Sequence, residues 1–140
     1  MLLIIDSNEY ILAFGPSKES VSKPLLDILV DVSSIHTLRI SRLTVEEVRR
    51  HLTSETFQEF MSFISAITTI DEDFLVPFEL GAKYESKGLP ADALIAAYTE
   101  WVGADALVTE NRHSLSLHSD LPFRILSAQK CLNIIRATHN

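Results

Sequence analysis

Four consecutive apolar residues, Leu2-Leu3-Ile4-Ile5, stop abruptly at Asp6-Ser7-Asn8. An apolar run this short reads as a strand buried on both faces, and such strands belong to parallel sheets covered by helices. The polar triplet then sits at the strand's carboxyl end, the edge at which open parallel sheets bind ligands. With 140 residues the chain has the usual size of one domain. Its hydrophobic content of 46% supplies a core and excludes disorder.

The same alternation continues along the chain. Residues 7–13 read as a short helix, and after Pro24 the stripe Leu25, Leu26, Ile28, Leu29 and Val32 has helical spacing. Residues 34–40 alternate, with Ile35, Thr37 or Leu38, and Ile40 as inward positions of a second strand. Thr44 and Glu47 have the spacing of a capping box, which predicts a helix from Leu43 through Val48 to Leu52. Phe57, Phe60, Met61, Ile64 and Ile67 recur at three- and four-residue intervals, a core stripe on the next helix. A third strand over 66–70 and a helix over 74–84 follow. Pro90 suits the first position of a helix over 91–102, and Ala93, Ala96 and Ala97 let that helix approach a sheet closely. Gly103 closes it. Strands over 106–109 and 122–126 and a helix over 128–135 complete an α/β pattern with a parallel sheet.

Charge narrows the function. Lys and Arg number 12 against 19 Asp and Glu, a net charge of −7, so the molecule as a whole does not attract phosphate backbones or anionic lipid. Contact with nucleic acid must be local or bridged by cations. The single cysteine, Cys131, allows neither an intramolecular disulfide nor a structural zinc site, which points to a reducing, cytoplasmic setting. The apolar opening is too short for a signal peptide. No later run approaches the roughly 20 apolar residues of a membrane span, so no membrane partner is expected.

The carboxylates fall in a pattern. Asp6 ends the first strand, Glu46 and Glu47 lie in the helix after the second, Asp92 opens the helix over 91–102, and Glu110-Asn111 follow a later strand. Acidic residues are common near helix starts, so Glu47 and Asp92 also read as ordinary dipole partners. Asp6 is harder to dismiss, because a carboxylate directly after buried apolar residues is seldom merely solvated. Carboxylates brought within about 4 Å repel by about 4 kcal/mol per pair at an effective dielectric of about 20. Protonation or a divalent cation must neutralise them, and an all-oxygen donor set suits Mg2+ or Mn2+ ahead of zinc.

Four segments together resemble the PIN domain, a small metal-dependent nuclease fold that includes the toxins of VapBC-type toxin–antitoxin pairs. They are Leu2 to Asn8, Ser41-Arg42-Leu43-Thr44-Val45-Glu46-Glu47-Val48, Pro90-Ala91-Asp92-Ala93-Leu94-Ile95-Ala96-Ala97, and Ala106-Leu107-Val108-Thr109-Glu110-Asn111. The resemblance runs nearly end to end. It implies a three-layer α/β/α sandwich around a central parallel sheet, one nuclease domain spanning 1–140. It also implies a toxin ribonuclease that uses Mg2+ or Mn2+ on RNA, with a small antitoxin and a second copy of the chain as partners.

Position by position, Asp6, Glu47 and Asp92 match the family's first three acids and would hold the metal; Glu46 is the neighbour a one-residue shift would substitute. The fourth acid is replaced: Asn111 and Ser114 stand where family members carry Asp, with Glu110 adjacent. Asn111 retains a carbonyl able to hold water in the catalytic site. Ser7 and Thr109 match positions that bond the acids or the phosphate, and Asn8 is placed to orient Asp6. Arg42, Arg49, Arg50, Arg112 and His113 are the nearest basic residues in sequence and hence candidate phosphate contacts. Each also reads as an ordinary solvated charge. The residues departing from the family's acids leave an alternative: a catalytically impaired PIN-like module that binds RNA or protein.

Overall fold

The computed structural model describes residues 1–16, 20–72, 77–86, 93–111 and 121–139. Five strands form one sheet: β1 (Leu2–Ile5), β2 (Thr37–Ser41), β3 (Thr68–Asp71), β4 (Ala106–Val108) and β5 (Arg124–Leu126). Their order is β3-β2-β1-β4-β5, and every neighbouring pair is parallel. Among the described residues the helices are α1 (Ser7–Phe14), α2 (Ser22–Asp31), α3 (Arg42–Arg49), α4 (Ser54–Ile67), α5 (Phe78–Ser86), α6 (Ala93–Trp101) and α7 (Ala128–His139). None is long and apolar enough to cross a membrane.

The pleat divides the core. Leu3 and Ile5 point to one face of the sheet, where they join buried side chains of α1 to α4 and α7. Ile4 and Leu107 point to the other, against Tyr84 of α5 and Ala93, Ala96, Ala97 and Tyr98 of α6. The small residues of α6 thus lie on the sheet, as their size predicts. Two layers of helices around a parallel sheet make the three-layer α/β/α arrangement.

Most sequence-predicted elements lie where expected, with shifted ends. The second strand begins at Thr37 and turns Leu38 and Ile40 inward, whereas Ile35 sits in the preceding turn and is exposed. The aromatic stripe of α4 puts Phe60 and Ile64 in the core and leaves Phe57, Met61 and Ile67 partly buried against it. The helix expected over 74–84 is seen as α5 from Phe78, and the one expected from 91 as α6 from Ala93; residues 73–76 and 87–92 lie outside the described residues. Gly103 has a φ of +71°, a left-handed conformation that ends α6 and that a β-carbon would strain.

Parallel pairing has one consequence for function. The ends of β1, β2 and β4 all open on the same edge of the sheet, so Asp6, Ser41 and Thr109 are delivered together despite their separation in sequence.

Candidate functional site

Asp6 leaves β1 in an extended conformation and caps α1, its Oδ1 accepting the Ser7 amide at 2.8 Å. Its Oδ2 accepts the Thr109 hydroxyl at 2.8 Å, across from the end of β4. Asp6 as a whole residue is only 9% exposed. Thr109 Oγ1 in turn accepts the Asn111 amide at 3.1 Å, so the residues after β4 are folded back toward Asp6. One hydroxyl therefore orients both a strand-end carboxylate and the turn opposite it.

The capping box expected at Thr44 and Glu47 does not form. The cap of α3 is Ser41, whose Oγ accepts the Thr44 amide at 3.2 Å, and the helix starts at Arg42. Ser41 and Thr44 are both competent caps, and strand β2, which ends at Ser41, decides between them. Glu47 is then in the second turn of α3, exposed and free of a capping duty. Glu46 turns the other way and pairs with Arg49 at 3.3 Å.

These elements enclose a cavity of about 290 Å³ lined by Asp6, Ser7, Asn8, Ser41, Leu43, Thr44, Glu47, Leu94, Ile95 and Asn111. Asp6, Glu47 and Asn111, distant in sequence, share it. Sequence reasoning overlooked Ser41, Thr44, Leu43, Leu94 and Ile95 as wall residues, although all five lie inside the motif segments. Arg42 does not line it; its guanidinium bridges to Glu72, with Nε donating to Oε2 at 2.8 Å. Arg49 pairs with Glu46 and lies over the Phe57 ring, and Arg50 is exposed just after α3. Asp92, Arg112, His113 and Ser114 lie outside the described residues.

Among the described residues no three of Asp, Glu, His and Cys form a metal-holding group. The polar groups that do meet at the cavity, two carboxylates, two side-chain amides and three hydroxyls, are all hard oxygen ligands or hydrogen-bonding groups. That chemistry fits Mg2+ or Mn2+ and does not favour a soft metal.

Glu110 behaves differently from its neighbour Asn111. Its Oε1 accepts the Ala128 amide at 3.1 Å, capping α7 on the side away from the cavity. Beside it is Glu9, a carboxyl in α1 that is 0% exposed. Burial pushes Glu9 up from 4.5 to about 7, aided by Glu110 and Asp6 and opposed by a hydrogen bond from Ser22. Between those two pH values the unfolded chain has released this proton while the folded protein retains it, so folding stability falls as pH rises through the window. Glu9→Gln removes the loss: its melting temperature should exceed the wild type's at pH 8, with the difference vanishing near pH 4.5. Thermal melts across that range check this, and equal stability at both ends would contradict it.

No protein-family model matches the chain. No curated protein matches it. Among solved structures, a chain in the crystal structure of VapBC2 from Rickettsia felis, bound to a DNA fragment from its promoter, is similar to this one with a TM-score of 0.65. The match covers 91% of this chain and 98% of that one at 24% identity. It bears out the fold implied by the resemblance to the PIN domain: helices on both faces of an all-parallel, five-stranded sheet.

Proposed function

We propose that the chain is a divalent-metal-dependent endoribonuclease of the PIN type, with Asp6, Glu47 and Asp92 as the metal-holding acids. The supporting observation is the cavity at the carboxyl edge of the sheet, where Asp6, Glu47 and Asn111 meet around all-oxygen donors. A bound Mg2+ or Mn2+ there offsets the charge of a phosphodiester and acidifies water at neutral pH. Asp6 is held in one orientation by the Ser7 amide and the Thr109 hydroxyl, so it need not reorganise. The Asn111 side chain carries both a donor and an acceptor, suited to aligning water or a phosphate oxygen. Water attacks phosphorus in line, the bond from phosphorus to the 3′ oxygen breaks, and that oxygen takes up a proton. The products carry a 5′-phosphate and a 3′-hydroxyl.

The likeness to a chain of a VapBC complex supports a toxin role in the cytoplasm, with a small antitoxin as partner. An antitoxin that inserts a basic side chain into the cavity would neutralise the same carboxylates as the metal. A second copy of the chain is the further partner in this reading, and RNA the substrate. Purified protein with manganese should cleave single-stranded RNA, and Glu47→Gln should lower the rate by at least about tenfold through weakened metal binding. No cleavage by the wild type at saturating manganese would contradict the assignment.

The second reading, a catalytically impaired module that binds RNA or protein, is favoured by one observation: Asn111, not an acid, faces the cavity after β4. Calorimetry separates the two. The impaired module takes up no divalent ion at millimolar metal, whereas the nuclease does.

A further inference from the structure

The most exposed large apolar side chains among the described residues include three that lie in one run: Phe78 is 85% exposed, Leu94 62% and Leu43 55%. Leu43, in the first turn of α3, and Leu94, in the first turn of α6, stand on the wall of the acid cavity. Leu94 also lines a second depression, a groove of about 690 Å³ between α5 and α6, which Phe78 lines as well. Small residues on both helices, Gly81, Ala93 and Ala97, make the room, and a β-carbon at Gly81 would meet nothing within 4 Å. The two depressions therefore adjoin at Leu94, and apolar surface leads from the carboxylates past Leu94 to Phe78. A single exposed leucine is ordinary, whereas a contiguous set leading out of an acidic cavity marks a contact surface.

Charge decides what this surface suits. Among the described residues neither depression has a basic side chain on its walls, and Glu85 is the one charged group lining the groove. Arg42 is held by Glu72 and Arg49 by Glu46, in a chain whose net charge is −7. A phosphate backbone thus finds little attraction here apart from a bound metal ion. RNA that binds must draw the rest of its affinity from its bases, whose uncharged faces stack on exposed aromatic rings. Phe78 offers such a ring, and Leu94 connects it to the cavity. Only an unpaired strand can supply the base, because in a duplex the bases are paired and stacked inside the helix.

We propose that Phe78 and Leu94 form a base-binding track for single-stranded RNA: with the phosphodiester at the acid cavity, a flanking base packs over Leu94 and against the Phe78 ring. The track sets affinity and the preference for unpaired RNA, and takes no part in breaking the bond. The assignment names substrate contacts of the proposed nuclease and rests on that reading.

The test measures binding of a short, labelled single-stranded RNA by fluorescence anisotropy, with Asp6→Asn as the parent protein so that the RNA stays intact. Adding Phe78→Ala should weaken binding by about 5- to 100-fold, the range for one base stacked on an aromatic ring. Phe78→Trp should restore it. Both variants should keep the parent's melting temperature, since so exposed a ring packs against little. An RNA of equal length made without bases should bind the parent as weakly as ordinary RNA binds Phe78→Ala, and should be indifferent to the substitution. Affinity should also fall only shallowly as salt rises. Unchanged affinity in Phe78→Ala, or an equal loss on RNA without bases, would overturn the proposal. So would a Phe78→Ala protein that sediments as a smaller species while binding RNA as before, because the groove would then be an interface between copies of the chain. Calorimetry of the wild type with manganese separates this proposal from the reading beneath it. Manganese uptake without RNA binding overturns the track and leaves the metal site, whereas Phe78-dependent RNA binding without manganese uptake supports the track and sinks the nuclease.

Discussion

Replacing Asp6 by Asn is expected to abolish manganese-dependent cleavage of single-stranded RNA while leaving the protein folded. In the proposed reading Asp6 has two tasks, and the substitution separates them. As the cap of α1 its oxygen accepts the Ser7 amide, and Asn caps as well as Asp does. The Thr109 hydroxyl can reverse its hydrogen bond toward the new amide, since a hydroxyl both donates and accepts. Folding stability should therefore change by less than about 1 kcal/mol. As a metal-holding group, by contrast, Asp6 contributes a negative charge that Asn lacks, and the cleavage rate should fall by at least about 100-fold. Cleavage assays and thermal melts on the same preparations read the two effects. Equal cleavage by the variant and the wild type would trace the activity to a contaminating nuclease. Loss of folding together with activity would make the carboxylate a structural group.

The second large effect concerns the stripe on α4. Phe60 is fully buried, its ring 5.1 Å from Tyr10 in an edge-on contact and 5.8 Å from Phe14. Removing it leaves a void between α1 and α4 that their packing cannot close. Phe60→Ala should therefore cost about 3 to 5 kcal/mol of folding stability. For a chain of this length that is a fall in melting temperature of roughly 10 °C or more. The same stripe, read from sequence alone, would also suit an exposed contact with a second copy. In that case the substitution would change the association constant and leave the stability of the single chain within about 1 kcal/mol. Urea unfolding at several protein concentrations distinguishes the two, because only an association effect varies with concentration.

What the sequence disclosed and what it hid have physical reasons. Asp6 was legible because a strand buried on both faces has no choice of face to make, and its end marks the edge of the sheet. Glu47 lies in the predicted helix, although the capping box that its spacing suggests does not form. Two residues three apart, Ser41 and Thr44, can each cap α3, and only the extent of β2 selects Ser41. Ile35 reads as an inward strand residue because alternation in sequence carries through a turn, while the hydrogen bond from its amide to Val32 belongs to the turn. Glu9 gave no signal at all. An acid on a short helix reads as solvated, and the residue that bonds it inside the fold, Ser22 of α2, lies 13 positions later. The division of labour between Glu110 and Asn111 was equally hidden, since adjacent side chains after a strand point to opposite sides and the sequence does not say which side is the cavity.

A crystal of the wild-type protein soaked in manganese tests the central claim most directly. Anomalous density within coordination distance of both the Asp6 and Glu47 carboxylates is the predicted result. A cavity free of such density at saturating manganese, or manganese bound only elsewhere on the molecule, would contradict it.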